Sequence, residues 1–223
     1  MDLKILYEDN NIIAIDKPEG ISSIAESDPA KRNIHSILQK LIGQKLFVVH
    51  RLDKDVSGVM LFAKNLNAHK YLNEQFMNYK VRKTYVAVVI GIIEENYGVI
   101  NKPIRQFGSG RMGVDKIKGK QSITNFKVIE RLNSFTLLEL HPETGRRHQL
   151  RVHLYSIGHP IAGDLHYGNN SIQKNFSRLM LHASEIEFFV DERNKLKIVS
   201  ELPESFTNVL NEIKMGNICL NDF

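Results

Sequence analysis

Short apolar runs rich in β-branched residues, separated by short polar turns, are the feature of this sequence that most constrains its fold. The longest covers residues 84–93, and others cover residues 12–15, 59–63 and 123–130. Runs of this length and composition predict β-strands, and short connections between them favour antiparallel pairing. We therefore predict an α+β fold with a mixed, largely antiparallel sheet, flanking helices and basic loops.

Helical periodicity is confined to four segments, so strands outnumber helices. The first helix should end before Gly43, which stands where a left-handed cap is expected, and the second should begin after Asn65. The other two helices are predicted over residues 147–157 and from Pro203 onward. Further strands are predicted over residues 5–7, 46–49, 135–141, 179–190 and 196–199. No internal repeat or interdomain linker is visible, and we expect residues 1–223 to form a single domain.

The composition is that of a soluble protein, with 42% hydrophobic and 25% charged residues. The longest nearly unbroken apolar run, Tyr85 to Ile93, is far shorter than the roughly 20 residues that cross a membrane. The first ten residues do not resemble a secretory signal. The single cysteine, Cys219, excludes an internal disulfide and a cysteine zinc site. We therefore expect a cytoplasmic protein with no metal.

The positive charge is concentrated in the middle of the chain. The whole chain carries a formal charge of +5, but residues 101–151 alone carry 11 Lys and Arg against 4 Asp and Glu. Such a segment is typical of a surface that binds the phosphates of a nucleic acid, although charge alone leaves a merely solvated surface equally open. Residues 101–120, which also contain several glycines, are predicted to form mobile basic loops.

The segment His50-Arg51-Leu52-Asp53 is the first candidate for chemistry. It leaves an apolar strand and enters a loop, a position where rigid neighbours hold a side chain open to substrate. An isolated Asp in such a turn more often bonds its own backbone. On its own, the segment is therefore weak support for a catalytic Asp53.

The second candidate is the basic segment of residues 144–153. Gly145, Arg146 and Arg147 precede a predicted helix, an arrangement that can bind an anion. Arg151 adjoins the inward-facing Leu150 of that helix, so its guanidinium should be half buried and should need a carboxylate partner. That partner could be any Asp or Glu; if it is Asp53, the pair would keep that carboxylate ionised and oriented.

Tyr85 is the third candidate, because it opens the longest predicted strand. A tyrosine at such a position usually packs in the core, but its ring could also stack on a base. The nine histidines include no HExxH pattern, and His148 and His153 are spaced so that they do not share a helical face. The sequence therefore gives no reason to expect a metal site.

Taken together, these segments resemble the RluA family of pseudouridine synthases. The similarity is carried, in order, by IAIDKPEG at 13–20, HRLDKDVSGVML at 50–61, RKTYVAVV at 82–89, the long basic motif at 142–168 and SRLMLHASEIEF at 177–188. Two positions depart from the family pattern: Val56 replaces the usual Thr, and Arg147 replaces a common Thr or Ser. No counterpart of the small accessory RNA-binding domain of many relatives is recognised.

The resemblance implies the pseudouridine synthase fold and the isomerisation of uridines in structured RNA, rRNA or tRNA, with no cofactor. Asp53 would be the nucleophile, Arg151 its partner, and Tyr85 a ring stacked on the target base. Arg51 would fill the gap left by the flipped uridine, and Leu179 and Leu181 would form an apolar wall. Arg146 and Arg147, with Arg111, Lys116 and Lys120 in the basic loops, would bind a stem-loop of the RNA. A monomer without membrane contact is expected.

Two other functions remain open from the residues alone. A non-catalytic RNA-binding module on the same fold would need the basic residues but not an ionised Asp53. A glycosidase or nuclease would need a second carboxylate beside Asp53. Asp55 is close in sequence, but we expect its side chain to point away from that of Asp53. The hydrolase is therefore the weaker alternative.

Overall fold

The computed structural model describes residues 3–25 and 32–218. The chain divides into two compact units, one formed by residues 1–83 and 183–201 and the other by residues 84–182 and 202–223. The strands are β1 Lys4–Glu8, β2 Ile12–Lys17, β3 Phe47–Val48, β4 Ser57–Ala63, β5 Arg82–Ile90, β6 Tyr97–Asn101, β7 Ile104–Gln106, β8 Met112–Val114, β9 Ile123–Leu132, β10 Phe135–Pro142, β11 Leu181–Phe189 and β12 Lys195–Val199. The helices are α1 Ile34–Ile42, α2 Leu66–Met77, α3 Gln149–Ser156, α4 Asn170–Gln173 and α5 Glu204–Lys214.

The sheet of the first unit runs in the order β1-β2-β4-β11, with β12 paired to β11 and β3 paired to β4. Strands β1 and β2 form an antiparallel hairpin, as predicted. One face of the sheet packs apolar side chains, among them Leu61 and Ile186, against Leu72 of α2. Strand β4, which follows the Asp53 loop, is buried along its whole length and therefore fixes the end of that loop.

The end of α1 and the start of α2 lie where the sequence predicted them, and Asn33 is a cap that the sequence analysis did not identify. The side chain of Asn33 caps α1 by accepting the N–H of Ser36, and Asn65 caps α2 by accepting the N–H of Ala68. Helix α1 ends at Gly43, which adopts the left-handed conformation with φ of 68°.

The second unit contains the antiparallel order β5-β10-β9-β6. Strand β5 is hydrogen-bonded on its other edge as well, because Val88 donates to the Met180 carbonyl and accepts from the N–H of Ala162. The prediction of a strand in this segment is confirmed, and the strand is paired on both edges. Asn133, at φ of 49°, forms the expected turn between β9 and β10.

Helix α3 is shorter and more deeply buried than its sequence pattern predicts. It covers Gln149–Ser156, and its first six residues, polar ones included, are all buried. Leu150 and Leu154 are buried as predicted. Polar side chains such as Gln149 and His153 are buried as well, through hydrogen bonds to Thr124. Arg151 is buried, not half-buried as predicted, with 3% of its surface exposed.

Two further predictions were wrong. The buried strand expected over residues 46–49 is reduced to the half-buried pair Phe47–Val48, which bonds only the end of β4. The mobile loops expected over residues 101–120 contain instead the end of β6 and the β7–β8 hairpin. The glycines of this segment hide the strand pattern of β7 and β8 in the sequence. The apolar residues of these two strands pack against the rest of the second unit.

No helix in the described ranges is long and apolar enough to span a membrane. The expectation that residues 1–223 form a single domain stays a prediction.

Substitution of Gly58, which follows the Asp53 loop, should strongly destabilise the fold. It has φ of 115°, and a Cβ there would lie 2.2 Å from the carbonyl oxygen of Ala183. We predict that Gly58→Ala lowers the free energy of unfolding by about 3 kcal/mol or more, through backbone strain and overpacking together.

Gly43 provides the matched control, because it also has positive φ but has nothing within 4 Å of the added Cβ. Gly43→Ala should cost only about 1–2 kcal/mol in the same urea titration. Equal losses for the two variants would show that the close approach to Ala183 is unimportant.

Candidate active site

A buried lysine holds the loop that carries Asp53. Lys17 is 0% exposed, and its ammonium group donates to the carbonyl oxygens of Pro18, Lys54 and Val56 at 2.8, 3.0 and 2.7 Å. A buried ammonium is tolerated only where its donors are satisfied, so these carbonyls must remain in place. Sequence reasoning gave Lys17 no role of its own, although the IAIDKPEG motif contains it.

The other side of the same loop is fixed by Ser23. Its hydroxyl donates to the carbonyl of Leu52 at 2.6 Å and accepts the N–H of Leu52 at 3.1 Å. Leu52 and Val56 are buried, whereas Asp53 is half-buried and Arg51 is exposed. The loop therefore buries its apolar residues and holds Asp53 and Arg51 on a rigid backbone.

His50 has a structural role next to the loop. Its ring stacks on Phe76 with centroids 5.3 Å apart, and its Nε2 accepts the N–H of Leu61 at 3.0 Å. Burial, with a smaller contribution from the positive charge of Lys83, lowers the pKa of His50 to about 3. His50 is therefore neutral at physiological pH, with its proton on Nδ1.

Lys83 was not singled out by sequence reasoning, although it belongs to the Lys-Thr-Tyr segment that contains Tyr85. Burial lowers the pKa of Lys83 to about 8. An amine with this pKa changes its protonation state near neutral pH, unlike an ordinary surface lysine.

Arg151 forms a buried bidentate ion pair with Asp164. Nε lies 2.8 Å from Oδ2 and Nη2 lies 2.7 Å from Oδ1. Asp164 also accepts the backbone N–H groups of His166 and Tyr167, so both carboxylate oxygens are satisfied. The need for a carboxylate partner is confirmed, but Asp164 was missed by sequence reasoning. The pairing of Arg151 with Asp53 stays a prediction.

Arg111 lies on aromatic side chains at one side of α3. Its guanidinium carbon is 5.2 Å from the ring centroid of Tyr167 and 5.9 Å from that of Tyr155. The hydroxyl of Tyr167 is 2.9 Å from Nδ1 of His148. Arg111 is thus an exposed cation on a fixed aromatic support, not a residue of a mobile loop.

The arginines before α3 form a different arrangement from the predicted anion site. The backbone N–H of Arg146 is already bonded to Oε1 of Gln149 at 3.0 Å, and its Nε donates to the carbonyl of Gln121. The helix is preceded by His148 in the left-handed conformation, with φ of 54°. Of these two arginines, Arg147 is exposed and Arg146 is half-buried. Anion binding there would therefore depend on side-chain charge more than on backbone donors.

The remaining predicted residues occupy the second unit. Tyr85 is half-buried on β5 opposite Leu140 of β10. Leu179 and Leu181 are 4% and 2% exposed. Leu179 adjoins Gly163, whose own neighbour is Asp164. Lys116 and Lys120 are exposed. No group of three potential ligand side chains in the described part of the chain could hold a metal ion.

Comparison with known proteins identifies the class of this enzyme. The family model described as RNA pseudouridylate synthase matches residues 11–156, a range that includes Asp53, Tyr85 and Arg151. An uncharacterised RNA pseudouridine synthase of Zymomonas mobilis is 35% identical over 212 residues, which cover 92% of this chain and 96% of that protein. The solved structure of human RNA pseudouridylate synthase domain containing 4 has a TM-score of 0.79, 28% identity and coverage of 95% of this chain and 93% of the human chain.

The chain therefore belongs to the RNA pseudouridylate synthase family, and it is an isomerase that acts on RNA. The dual-specificity RNA pseudouridine synthase RluA of Haemophilus influenzae is 36% identical over 189 residues, which cover 82% of this chain and 85% of that protein. The resemblance to the RluA family and the predicted fold are thus confirmed.

The depressed pKa of His50 should make the fold sensitive to acid. In the unfolded chain the histidine binds a proton near pH 6.5, whereas in the folded chain it does so only near pH 3. Stability should therefore fall as the pH decreases from about 6.5 towards 3. His50→Gln, which cannot titrate, should remove part of that fall in urea titrations.

Nuclear magnetic resonance provides the direct check. The ring resonances of His50 should stay constant between pH 7 and 5, where Lys83 remains protonated and His50 remains neutral. A titration of this ring near pH 6.5 would contradict the assignment of a neutral, structural histidine.

Proposed function

We propose that this enzyme converts specific uridines of a structured RNA into pseudouridine, with Asp53 as the nucleophile. The observation that carries the proposal is the loop at residues 51–56, whose backbone is fixed by Lys17 and Ser23 while Asp53 itself stays half-buried. A nucleophile needs this combination of a fixed position and an open side chain. A surface turn would not need a buried ammonium group beneath it.

The reaction consists of breaking the glycosidic bond, turning the uracil and rejoining it through carbon 5. Asp53 would form a covalent bond to the substrate, at the anomeric carbon or at carbon 6 of the uracil, so that the base is not lost while it turns. No electrons are exchanged and no water is consumed. The covalent bond to Asp53 must break again before the product is released, N1 of the uracil gains a proton and the carbon-5 proton leaves. Tyr85 is our candidate for accepting the carbon-5 proton and for stacking on the target base.

Arg151 would keep Asp53 ionised and oriented. A guanidinium has five N–H donors, and Asp164 engages Nε and Nη2, so the same group has the capacity to bind a second carboxylate. In this proposal Asp164 is a positioning residue, because its bidentate contact fixes the plane of the guanidinium. Removing one member of a buried pair costs about 3–5 kcal/mol, so Asp164 also serves the fold.

The RNA would be an rRNA or tRNA stem-loop, in which unpaired bases flip at low cost. Exposed Arg51 would occupy the space that the flipped uridine leaves, and buried Leu179 and Leu181 would line the apolar part of the base pocket. Arg111, Lys116, Lys120, Arg146 and Arg147 would bind the phosphates. We further propose that the enzyme acts as a monomer in the cytoplasm.

Replacement of Asp53 tests the chemistry. We predict that Asp53→Asn abolishes pseudouridine formation, measured by carbodiimide mapping of the product RNA, because the amide cannot act as a nucleophile. RNA affinity should change by no more than a few fold. These two results together distinguish an enzyme from a non-catalytic RNA-binding module.

Asp55 offers the matched control. It lies in the same loop and is also half-buried, but it has no role in the proposed reaction. Asp55→Asn should leave turnover close to that of the wild type. An active Asp53→Asn enzyme, or equal inactivation of both variants, would contradict the role of Asp53.

Removing positive charge tests the RNA-binding residues. We predict that the triple variant Arg111→Gln, Lys116→Gln, Lys120→Gln binds RNA more weakly. The slope of log K against log salt should flatten by up to about 2–3, since each lost phosphate contact contributes about 0.7–0.9.

The control removes three exposed lysines of the first unit, Lys4, Lys40 and Lys70. This variant has the same change in net charge and should retain the wild-type slope. If both triple variants flatten the slope equally, the effect is one of net charge and the proposed RNA face is wrong.

A further inference from the structure

The β7–β8 hairpin has one buried face and one exposed face. Its register pairs Ile104 with Val114 and Arg105 with Gly113, so side chains alternate between the two faces. On the inner face, Ile104 and Met112 are 1% and 8% exposed and pack against Val152 and Tyr167. The hairpin is therefore anchored, and the side chains of its outer face have a fixed base.

The outer face carries a stacked arginine and phenylalanine. The guanidinium carbon of Arg105 is 4.4 Å from the ring centroid of Phe107, which lies two residues further along the same face. Arg105 is held in turn by Asp115, with Nε 2.9 Å from Oδ2. The carboxylate of Asp115 accepts the backbone N–H groups of Ile117 and Lys118. Each group in this chain of contacts restrains the next.

Gly113 leaves the space that the Phe107 ring occupies. A Cβ at this position would lie 2.8 Å from Cε2 of Phe107. The turn is closed by Phe107, whose N–H donates to the carbonyl of Arg111 at 2.9 Å and whose carbonyl accepts the N–H of Gly110 at 2.8 Å. Phe107 is nevertheless 38% exposed. A large apolar ring is thus held in place at the surface, where burial does not explain it.

The surroundings of this ring are strongly basic. Asp115 is the only acidic residue between residues 101 and 129, and Arg105 already engages it. Arg111, Lys116, Lys118 and Lys120 are exposed around the same hairpin. An aromatic ring among cations matches a nucleotide, whose base stacks while its phosphate is neutralised.

We propose that Phe107 is a stacking platform for an unpaired base of the RNA substrate, a second base besides the target uridine. The proposal rests on the proposed action of this enzyme on RNA. Arg105 supports the ring, and Arg111 with the neighbouring lysines neutralises the adjacent phosphates. Stacking does not read the edge of a base, so the platform would select for an unpaired nucleotide at this position and not for its identity.

The absence of tryptophan from the chain makes the platform directly observable. Phe107→Trp introduces a single fluorophore that can still stack, in an Asp53→Asn background that prevents turnover. We expect saturable quenching of its fluorescence by an RNA stem-loop, and much less by a fully paired duplex of equal length. Tyr97→Trp, at a residue of β6 that is 79% exposed, should show no quenching.

Truncation of the ring provides the second measurement. Phe107→Ala should weaken stem-loop binding by about 5- to 150-fold, the range given by stacking energies of 1–3 kcal/mol per base. The salt slope should stay unchanged because no charge is removed. Phe107→Tyr should restore affinity.

Wild-type affinity in Phe107→Ala, or equal quenching of the two tryptophan variants, would overturn the platform. The proposed function would be untouched by either result, since it depends on pseudouridine formation by the wild-type enzyme. Conversely, stem-loop quenching in an enzyme that forms no pseudouridine would support the platform and contradict the proposed reaction.

Discussion

The shape of the Asp53 loop depends on one buried ammonium group. Lys17 donates to three carbonyl oxygens, two of them within the loop itself. Because an unpaired buried charge costs several kcal/mol, the loop cannot open without a large loss of stability. Lys17 is also the last residue of β2. Its hydrogen bonds therefore connect the sheet directly to the backbone beside Asp53. Buried Leu52 and Val56 complete this support, and Val56 needs no hydroxyl for it.

The second unit also contains a buried cationic side chain, and there a carboxylate, not backbone carbonyls, compensates its charge. Arg151 lies in a helix whose first six residues are all buried, and Asp164 compensates its charge through two short contacts. Around this pair, Tyr167 joins the helix to the β7–β8 hairpin and bonds His148. The basic residues of the hairpin are therefore carried on a packed core. RNA binding would require less ordering of this surface than mobile loops would.

Much of the fold was predictable because local patterns agree with it. The capped helices α1 and α2, the central strand β5 and the β9–β10 turn all follow from apolar periodicity and from Asn or Gly at their ends. The wrong predictions have a common cause, because the elements concerned depend on contacts between residues that are far apart in the sequence. The β7–β8 hairpin is too short and glycine-rich to be recognised locally. The depth at which α3 is buried depends on polar residues that bond within the core, which its apolar periodicity does not reveal. Family resemblance selected Asp53, Tyr85 and Arg151, but Lys17, Lys83 and Asp164 became visible only through burial and contacts.

The central claim, that this enzyme isomerises uridine in RNA, is tested most directly by tritium release. Transcripts of rRNA and tRNA carrying tritium at carbon 5 of uridine would be incubated with the purified enzyme in buffer without added cofactor. We predict tritium release into water, matched mole for mole by new pseudouridine at a small number of defined positions. Absence of release from every transcript, with RNA binding intact, would contradict the claim.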